Sequence, residues 1–212
     1  MAAGIAGIIL AGGQSRRMGG GDKSLSPLGH GCVLDQVLSR LVPQTETLAL
    51  NANGDPSRFS TFGLPVLADI VEGFAGPLAG VLTGLEWAAV NTSCRAIVTA
   101  AGDTPFLPPD LVGRLAEAAG KRSGAIAVAS SGGRLHPTFA LLPIGCREAL
   151  RHFLVDEDNR RVSTFIEHYG HIEVEFPLRQ AAGLDPFLDP FFNINVPDDL
   201  AQAERLLQSI IP

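Results

Sequence analysis

The sequence has little cysteine, and the cysteines that it has suggest neither a cross-link nor a metal site. The three of them, Cys32, Cys94 and Cys146, lie far apart in a chain of 212 residues. They form no C-x-x-C pair and no zinc-ligand spacing. A sparse set with an odd number of cysteines favours free thiols in a reducing compartment. Such cysteines usually serve as small buried side chains.

The sequence also lacks a long apolar run and an excess of positive charge. No run approaches the roughly 20 residues that span a bilayer, and residues 1–10 have no basic segment of the kind that begins a signal peptide. We therefore expect a cytoplasmic protein with no membrane partner. The formal net charge is −6, whereas a general nucleic-acid binder is usually basic, so no nucleic-acid partner is expected.

The composition and the periodicity indicate a globular α/β protein. Hydrophobic residues make up 46% of the chain and charged residues 18%, which suits one domain with a substantial core. Apolar patterns predict strands at residues 5–10, 47–51, 65–67 and 96–101, alternating with helices at 34–41, 76–89 and 109–121. This alternation predicts a doubly wound, mainly parallel sheet in three layers, with helices on both faces. The less regular second half predicts strands at 125–129, 138–142 and 172–176 and helices at 147–155, 162–169 and 197–207.

The most informative segment is residues 10–23, which read LAGGQSRRMGGGDK. It follows the apolar run Ile5–Leu10, and its glycines let the backbone approach a ligand closely, with N–H groups that can converge on an anion. Arg17 and Lys23 add positive charge, so the segment suits a polyphosphate. It is not a Walker A loop, because Asp22 stands where that pattern has glycine before the lysine, and the dinucleotide pattern G-x-G-x-x-G also fails.

Polar side chains follow several of the predicted strands. Ligands of open α/β sheets bind outside the carboxyl ends of the strands, so we expect Asn51, Asp69, Asp103 and the glycine-rich segment to form one site. Asp103 could hold Mg²⁺, which prefers hard oxygen ligands, or could be a turn residue. Asp69 could bind nucleotide or metal or be a solvated loop acid. Asn51 could contact a base or ribose, whereas Asn53 has typical turn chemistry.

The glycine-rich segment resembles, without a gap, the signature L-A-G-G-x-x-x-R-M-G-G-x-D-K of the molybdenum cofactor guanylyltransferases. These belong to the wider nucleotidyltransferase group, whose fold is Rossmann-like. Residues 76–80 (GPLAG), 102–105 (GDTP) and 192–200 (FNINVPDDL) resemble further elements of that family. The resemblance runs from residue 5 to about residue 204 and is sparse between 110 and 190.

The resemblance implies an activity. A guanylyltransferase moves GMP from GTP to the molybdenum-molybdopterin cofactor, releases pyrophosphate and forms the molybdopterin guanine dinucleotide. The substrate brings its own phosphate nucleophile, so catalysis rests on positioning and charge neutralisation. The implied organisation is a single domain over residues 1–212, with a nucleotide-binding half at about 1–110 and an acceptor-side half at about 111–212. We expect a monomer with Mg²⁺ as cofactor, and molybdoenzymes or their chaperones are candidate partners.

The resemblance also assigns residues to roles. Lys23, Arg17 and Asp103 are the expected catalytic residues, with Asp103 as the metal ligand. Asn193 and Asn195 are expected to hold the acceptor, although an edge segment leading into a helix is a structural alternative. His136 is expected to be structural. The expected GTP-binding residues are Leu10, Ala11, Gly12, Gly13, Lys23, Asn51, Asp69, Gly76, Gly80 and Asp103.

Other functions stay open at this point. A cytidylyltransferase acting on the same cofactor would share the glycine-rich segment, and the sugar-phosphate nucleotidyltransferases are usually longer chains. A non-catalytic carrier that binds the cofactor and passes it to a molybdoenzyme is the alternative from a different class. A carrier would release no pyrophosphate.

Overall fold

The fold is built on one seven-stranded sheet. The structure, a computed structural model, describes residues 4–12, 22–71, 76–122, 124–156, 159–179 and 188–210. The strand order is β5-β4-β1-β6-β8-β7-β9, and every neighbouring pair is parallel except those made by β8. These strands are β1 (Ile5–Leu10), β4 (Thr47–Asn51), β5 (Val66–Leu67), β6 (Ala96–Ala101), β7 (Ile126–Ser131), β8 (Arg134–Pro143) and β9 (His171–Glu175).

Helices cover both faces of the sheet. They are α1 (Val33–Leu41), α2 (Pro77–Asn91), α3 (Leu111–Gly120), α4 (Arg147–Val155) and α5 (Val162–Tyr169). A sixth helix, α6 (Pro197–Ile210), packs on a small ribbon that pairs β2 (Pro27–Leu28) with β3 (Gly31–Cys32). Within the described ranges no helix combines the length and apolarity that crossing a membrane requires.

The core lies in two layers, one on each side of the sheet. Ile5 and Ile9 of β1 pack with α1 and α3, whereas Ala6 and Ile8 pack with α2, α4 and α5. A central parallel strand that is covered on both faces is apolar along most of its length, as in β1 and in β6, where Thr99 is the one polar residue and its hydroxyl donates to Ala140 O. The predicted three-layer, mainly parallel α/β fold is therefore confirmed.

The β7–β8 hairpin differs from its prediction. The strands predicted at 125–129 and 138–142 left residues 130–137 between them, but β7 continues to Ser131 and β8 begins at Arg134, which leaves a two-residue turn. Gly132 and Gly133 both have positive φ, 53° and 76°. Two consecutive residues with positive φ form the tight turns that match strand twist. Both strands are longer than predicted because the glycine pair closes the hairpin so sharply.

The parallel register brings the strand ends to one edge of the sheet. Leu10 pairs with Asn51 on one side and with Ala101 on the other. Just beyond these pairs, Ala11 N donates to Asn51 O at 2.9 Å and Gly102 N donates to Leu10 O at 3.0 Å. The residues that follow β1, β4, β5 and β6 are therefore neighbours.

Candidate active site at the carboxyl edge of the sheet

A short 3₁₀-helix, Lys23–Leu25, presents the lysine of the glycine-rich segment. Asp22 caps this turn, because its Oδ1 accepts from Ser24 N at 3.2 Å and from Ser24 Oγ at 2.7 Å. Lys23 Nζ donates to Asn195 Oδ1 at 2.8 Å. The two residues are 172 positions apart in the chain, so this hydrogen bond joins the end of the glycine-rich segment to the residues that are predicted to hold the acceptor.

Asp103 follows β6, and its carboxyl group is close enough to Lys23 to feel the charge of the ammonium group. Burial raises the pKa of the Asp103 carboxyl group, whereas the Lys23 ammonium and a hydrogen bond from Thr104 oppose that rise. The main chain of Asp103 also holds the late segment, since Ile194 N donates to Asp103 O at 2.9 Å. The structure thus brings Lys23, Asp103 and Asn195 together.

The donor chemistry at Asp103 fits a magnesium ion. Desolvation dominates the shift of its pKa, so the charge of this carboxylate is only partly compensated by the protein. Mg²⁺ commonly uses one or two carboxylates, keeps several waters and takes its other ligands from phosphates. Among the described residues, no group of three or more His, Cys, Asp or Glu side chains could hold a metal ion by itself.

A second group of side chains lies beyond β4 and β5. Asn51 Nδ2 donates to Asp69 Oδ1 at 2.8 Å and to Leu67 O at 3.1 Å. Asn53 Nδ2 donates to Asp69 Oδ2 at 2.7 Å, and its Oδ1 accepts from Asp69 N at 2.8 Å. Two amides therefore orient one carboxylate. Each carboxylate oxygen can accept a second hydrogen bond, so this group is an oriented acceptor for N–H donors.

Helix α2 packs closely against that group. A Cβ placed on Gly80 would lie only 2.1 Å from Asn51 Oδ1 and 2.9 Å from Leu10 Cδ2. Gly76 precedes the helix and has a φ of 72°, which favours glycine. The close approach at Gly80 is thus to the side chain of Asn51, and a direct contact of either glycine with nucleotide stays a prediction.

The sequence pattern missed two residues of this region. Arg58 lies in the 3₁₀-helix Pro56–Phe62 and donates to Asp22 Oδ2 at 3.2 Å and to Asn53 O at 2.7 Å. Asn53 was assigned to turn chemistry with Gly54, whose φ is 84°, but its side chain binds Asp69. Neither residue has a local signal, since each acquires its role from a loop that folds back toward the site.

His136 lies in a buried polar network, as expected of a structural residue. Its Nε2 is 2.7 Å from Ser131 Oγ, which donates to Asp189 Oδ1 at 2.7 Å. Its ring lies 4.5 Å from the ring centroid of Phe191. Burial lowers the pKa of His136, whereas the negative charge of Asp189 opposes that fall. The network attaches the segment that begins at Leu188 to the end of β7.

The remaining predicted residues are placed as follows. Leu10, Ala11 and Gly12 lie at the end of β1, with the first two holding the neighbouring strands through their main chains. Asn193 is exposed, two positions before Asn195. Gly13 and Arg17 lie outside the described residues.

Comparison with known proteins agrees with this arrangement. Residues 7–172 match the family described as the MobA-like NTP transferase domain. The chain is 77% identical, over 97% of both chains, to a molybdenum cofactor guanylyltransferase of Mesorhizobium japonicum. Its fold is similar to that of molybdopterin-guanine dinucleotide biosynthesis protein A of Archaeoglobus fulgidus, with a TM-score of 0.71, 22% identity and coverage of 96% and 98%. A protein of Mycobacterium tuberculosis H37Rv, crystallised as a complex with manganese, has a TM-score of 0.66, 21% identity and coverage of 96% and 99%. The chain therefore belongs to the molybdenum cofactor guanylyltransferases, within the family of MobA-like NTP transferase domains.

Proposed function

We propose that this protein transfers GMP from GTP to the molybdenum-molybdopterin cofactor, releasing pyrophosphate and forming the molybdopterin guanine dinucleotide. The observation that carries this proposal is the convergence of Lys23, Asp103 and Asn195 at one edge of the sheet. That edge joins a cationic side chain, a carboxylate and a polar segment from the other half of the chain. The guanylyltransferase of Mesorhizobium japonicum, which shares 77% of the aligned residues, supports the substrate assignment.

The chemistry is an in-line exchange at the α-phosphorus of GTP. The terminal phosphate oxygen of the acceptor forms a bond to that phosphorus, and the bond to the bridging oxygen of the pyrophosphate breaks. The protein needs no nucleophile of its own, so it acts by positioning and by neutralising charge. Lys23 offsets negative charge on the leaving pyrophosphate, and Arg17 and the amides of the glycine-rich segment beyond Ala11 contribute to holding the phosphates, because Ala11 N already donates to Asn51 O.

Asp103 would hold the catalytic Mg²⁺. The ion supplies charge neutralisation across phosphate oxygens when it is bound. The manganese complex of the mycobacterial protein supports a divalent cation in this fold.

The oriented carboxylate of Asp69 accounts for a preference for guanine. The guanine edge carries a ring N–H beside an exocyclic amino group, so it offers two adjacent donors. Cytosine has an exocyclic amino group, but its ring nitrogen there is an acceptor. Because both Asp69 oxygens keep acceptor capacity after binding Asn51 and Asn53, the carboxylate matches guanine and repels the cytosine ring nitrogen.

The acceptor would bind on the other side of Lys23, at Asn193 and Asn195. Because Asn195 reaches Lys23 from the same chain, a single copy contains both sides of the site. We therefore propose a monomeric enzyme with a nucleotide-binding half at about residues 1–110 and an acceptor-side half at about 111–212. Light scattering across the concentration range of the assay tests this, since constant turnover per chain and the mass of one chain are expected.

Pyrophosphate release from each of the four NTPs, with Mg²⁺ and with or without the molybdenum-molybdopterin cofactor, tests the activity. Release with GTP that requires the cofactor is the expected result. A preference for CTP would instead assign a cytidylyltransferase. Tight binding of the cofactor with no release from any nucleotide would indicate a carrier.

A further inference from the structure

Arg58 makes a three-way connection between loops that carry the two sides of the nucleotide site. Its Nε donates to Asp22 Oδ2 at 3.2 Å, its Nη2 to Asn53 O at 2.7 Å, and its Nη1 to Asp55 O at 2.5 Å. The guanidinium carbon lies 4.6 Å from the ring centroid of Phe59. A planar fork with five donors can satisfy these three acceptors at once, whereas a lysine ammonium cannot do so in the same geometry.

Asp22 divides its two oxygens between two tasks. Oδ1 caps the turn that begins with Lys23, through Ser24 N and Ser24 Oγ, and Oδ2 accepts from Arg58. Only 11% of the Asp22 side chain is exposed, so its charge is poorly hydrated and depends on Arg58 for compensation. The position of this carboxylate sets the start of the Lys23 turn.

The other end of the connection is held independently. Asn53 is bound to Asp69 through both its side-chain amide and its side-chain oxygen. Loss of Arg58 would therefore leave the Asn53–Asp69 pair with its own hydrogen bonds. The Lys23 turn, in contrast, would lose the guanidinium that ties its capping residue Asp22 to the Asn53 loop.

We propose that Arg58 is a positioning residue that acts on Lys23 through Asp22. It ties the turn that presents the ammonium group to the loop that orients Asp69, and so keeps the phosphate side and the base side of the site at a set spacing. The proposal rests on the proposed function, in which Lys23 acts on the phosphates of GTP.

A double-mutant cycle tests this with a matched control. Arg58→Met keeps an apolar stem against Phe59 and removes the guanidinium. Arg114→Met is the control, because Arg114 also lies over an aromatic ring, Phe176, at 4.2 Å and also donates to a main-chain oxygen, that of Glu175 at the end of β9. We expect Arg58→Met to lower kcat by about tenfold or more, with the KM for GTP within about threefold of the parent, since a displaced group weakens the transition state.

The cycle is completed with Lys23→Ala. If Arg58 acts through Lys23, Arg58→Met should lower kcat by less than about twofold in the Lys23→Ala background, because the effects of coupled residues on kcat are not additive. Arg114→Met should keep kcat within about twofold of the parent. Arg58→Lys should recover little, because it restores charge but not the fork.

Three results would overturn the proposal. One is an equal fall in kcat on both backgrounds, and another is a parental kcat in Arg58→Met. The third is a parental kcat in Lys23→Ala together with a lowered kcat in Arg58→Met. In that case GTP-dependent release of pyrophosphate would continue, but it would not depend on Lys23. If Arg58→Met does not fold, as judged by thermal unfolding, Asp22→Asn replaces it. Asparagine can still cap the turn, so Asp22→Asn should lower kcat by less than Arg58→Met does, and it should have no effect in the Lys23→Ala background. An equal fall in kcat on both backgrounds would overturn the proposal.

Discussion

A single added methyl group at Gly80 should damage both the stability and the nucleotide affinity of this protein. In Gly80→Ala the new Cβ would lie 2.1 Å from Asn51 Oδ1 and 2.8 Å from Asn51 Cγ. A Cβ atom essentially never lies closer than 3.0 Å to such an atom, so the Asn51 amide must move by roughly an ångström. Its hydrogen bonds to Asp69 Oδ1 and Leu67 O cannot survive such a movement.

The magnitude follows from three contributions. Overpacking of a core costs about 1–3 kcal/mol, and a lost hydrogen bond to a charged acceptor costs about 1.5–3 kcal/mol. Replacing glycine by alanine in a helix raises the free energy of unfolding by about 1 kcal/mol. We expect Gly80→Ala to lower the free energy of unfolding by about 2–4 kcal/mol. For a chain of this size the Tm should fall by about 5–12 °C.

Two other helical glycines provide matched controls. A Cβ on Gly84, in the same helix, would lie 2.6 Å from Ile8 Cγ1 in the core, whereas a Cβ on Gly113 in α3 would have nothing within 4 Å. Gly84→Ala should lower the Tm but leave the Kd for GTP of the folded protein unchanged. Gly113→Ala should raise stability by about 0.5–1 kcal/mol.

The assay combines urea unfolding with calorimetric titration of GTP. Gly80→Ala should weaken GTP binding by about tenfold or more, because the Asp69 acceptor is no longer oriented. A parental Kd and Tm in Gly80→Ala would refute the packing argument. A parental Kd with the expected loss of Tm would refute the role of Asn51 and Asp69 in binding GTP.

Three further perturbations have defined outcomes. Lys23→Ala should slow single-turnover transfer by about 10²-fold, and rates within tenfold of the parent would contradict its role on the phosphates. Asp103→Asn should abolish the Mg²⁺-dependent activity without lowering the Tm in metal-free buffer, since the variant no longer carries a desolvated carboxylate whose pKa is raised by burial. An Mg²⁺ titration like that of the parent would exclude Asp103 as the ligand. Burial lowers the pKa of His136 in the folded state, so the unfolded chain binds the extra proton and stability should fall as the pH drops below about 6.5. Urea unfolding at pH 7.5 and 5.5 checks this, and His136→Gln should lose less stability on acidification than the parent; an equal loss would assign the effect to other groups.

Much of the fold could be predicted because its signals are local. Strand β1 and strand β6 are runs of apolar or small residues, and the helices that cover them have apolar stripes. The carboxyl ends of parallel strands meet at one edge, so Asn51, Asp69 and Asp103 could be expected to converge before any coordinates were known. The hairpin at Gly132 and Gly133 was misjudged, because the turn type depends on the φ values of both glycines together.

The sequence by itself determined the α/β class, the family signature and the polar residues at the strand ends, because each depends on chemistry between near neighbours in the chain. The tertiary structure alone decided which of those residues touch. The hydrogen bond from Lys23 to Asn195 spans 172 positions and that from Arg58 to Asp22 spans 36. The requirement for glycine at position 80 comes from Asn51 in another element. Such contacts have no local pattern, because they arise only when separate elements pack against the same face.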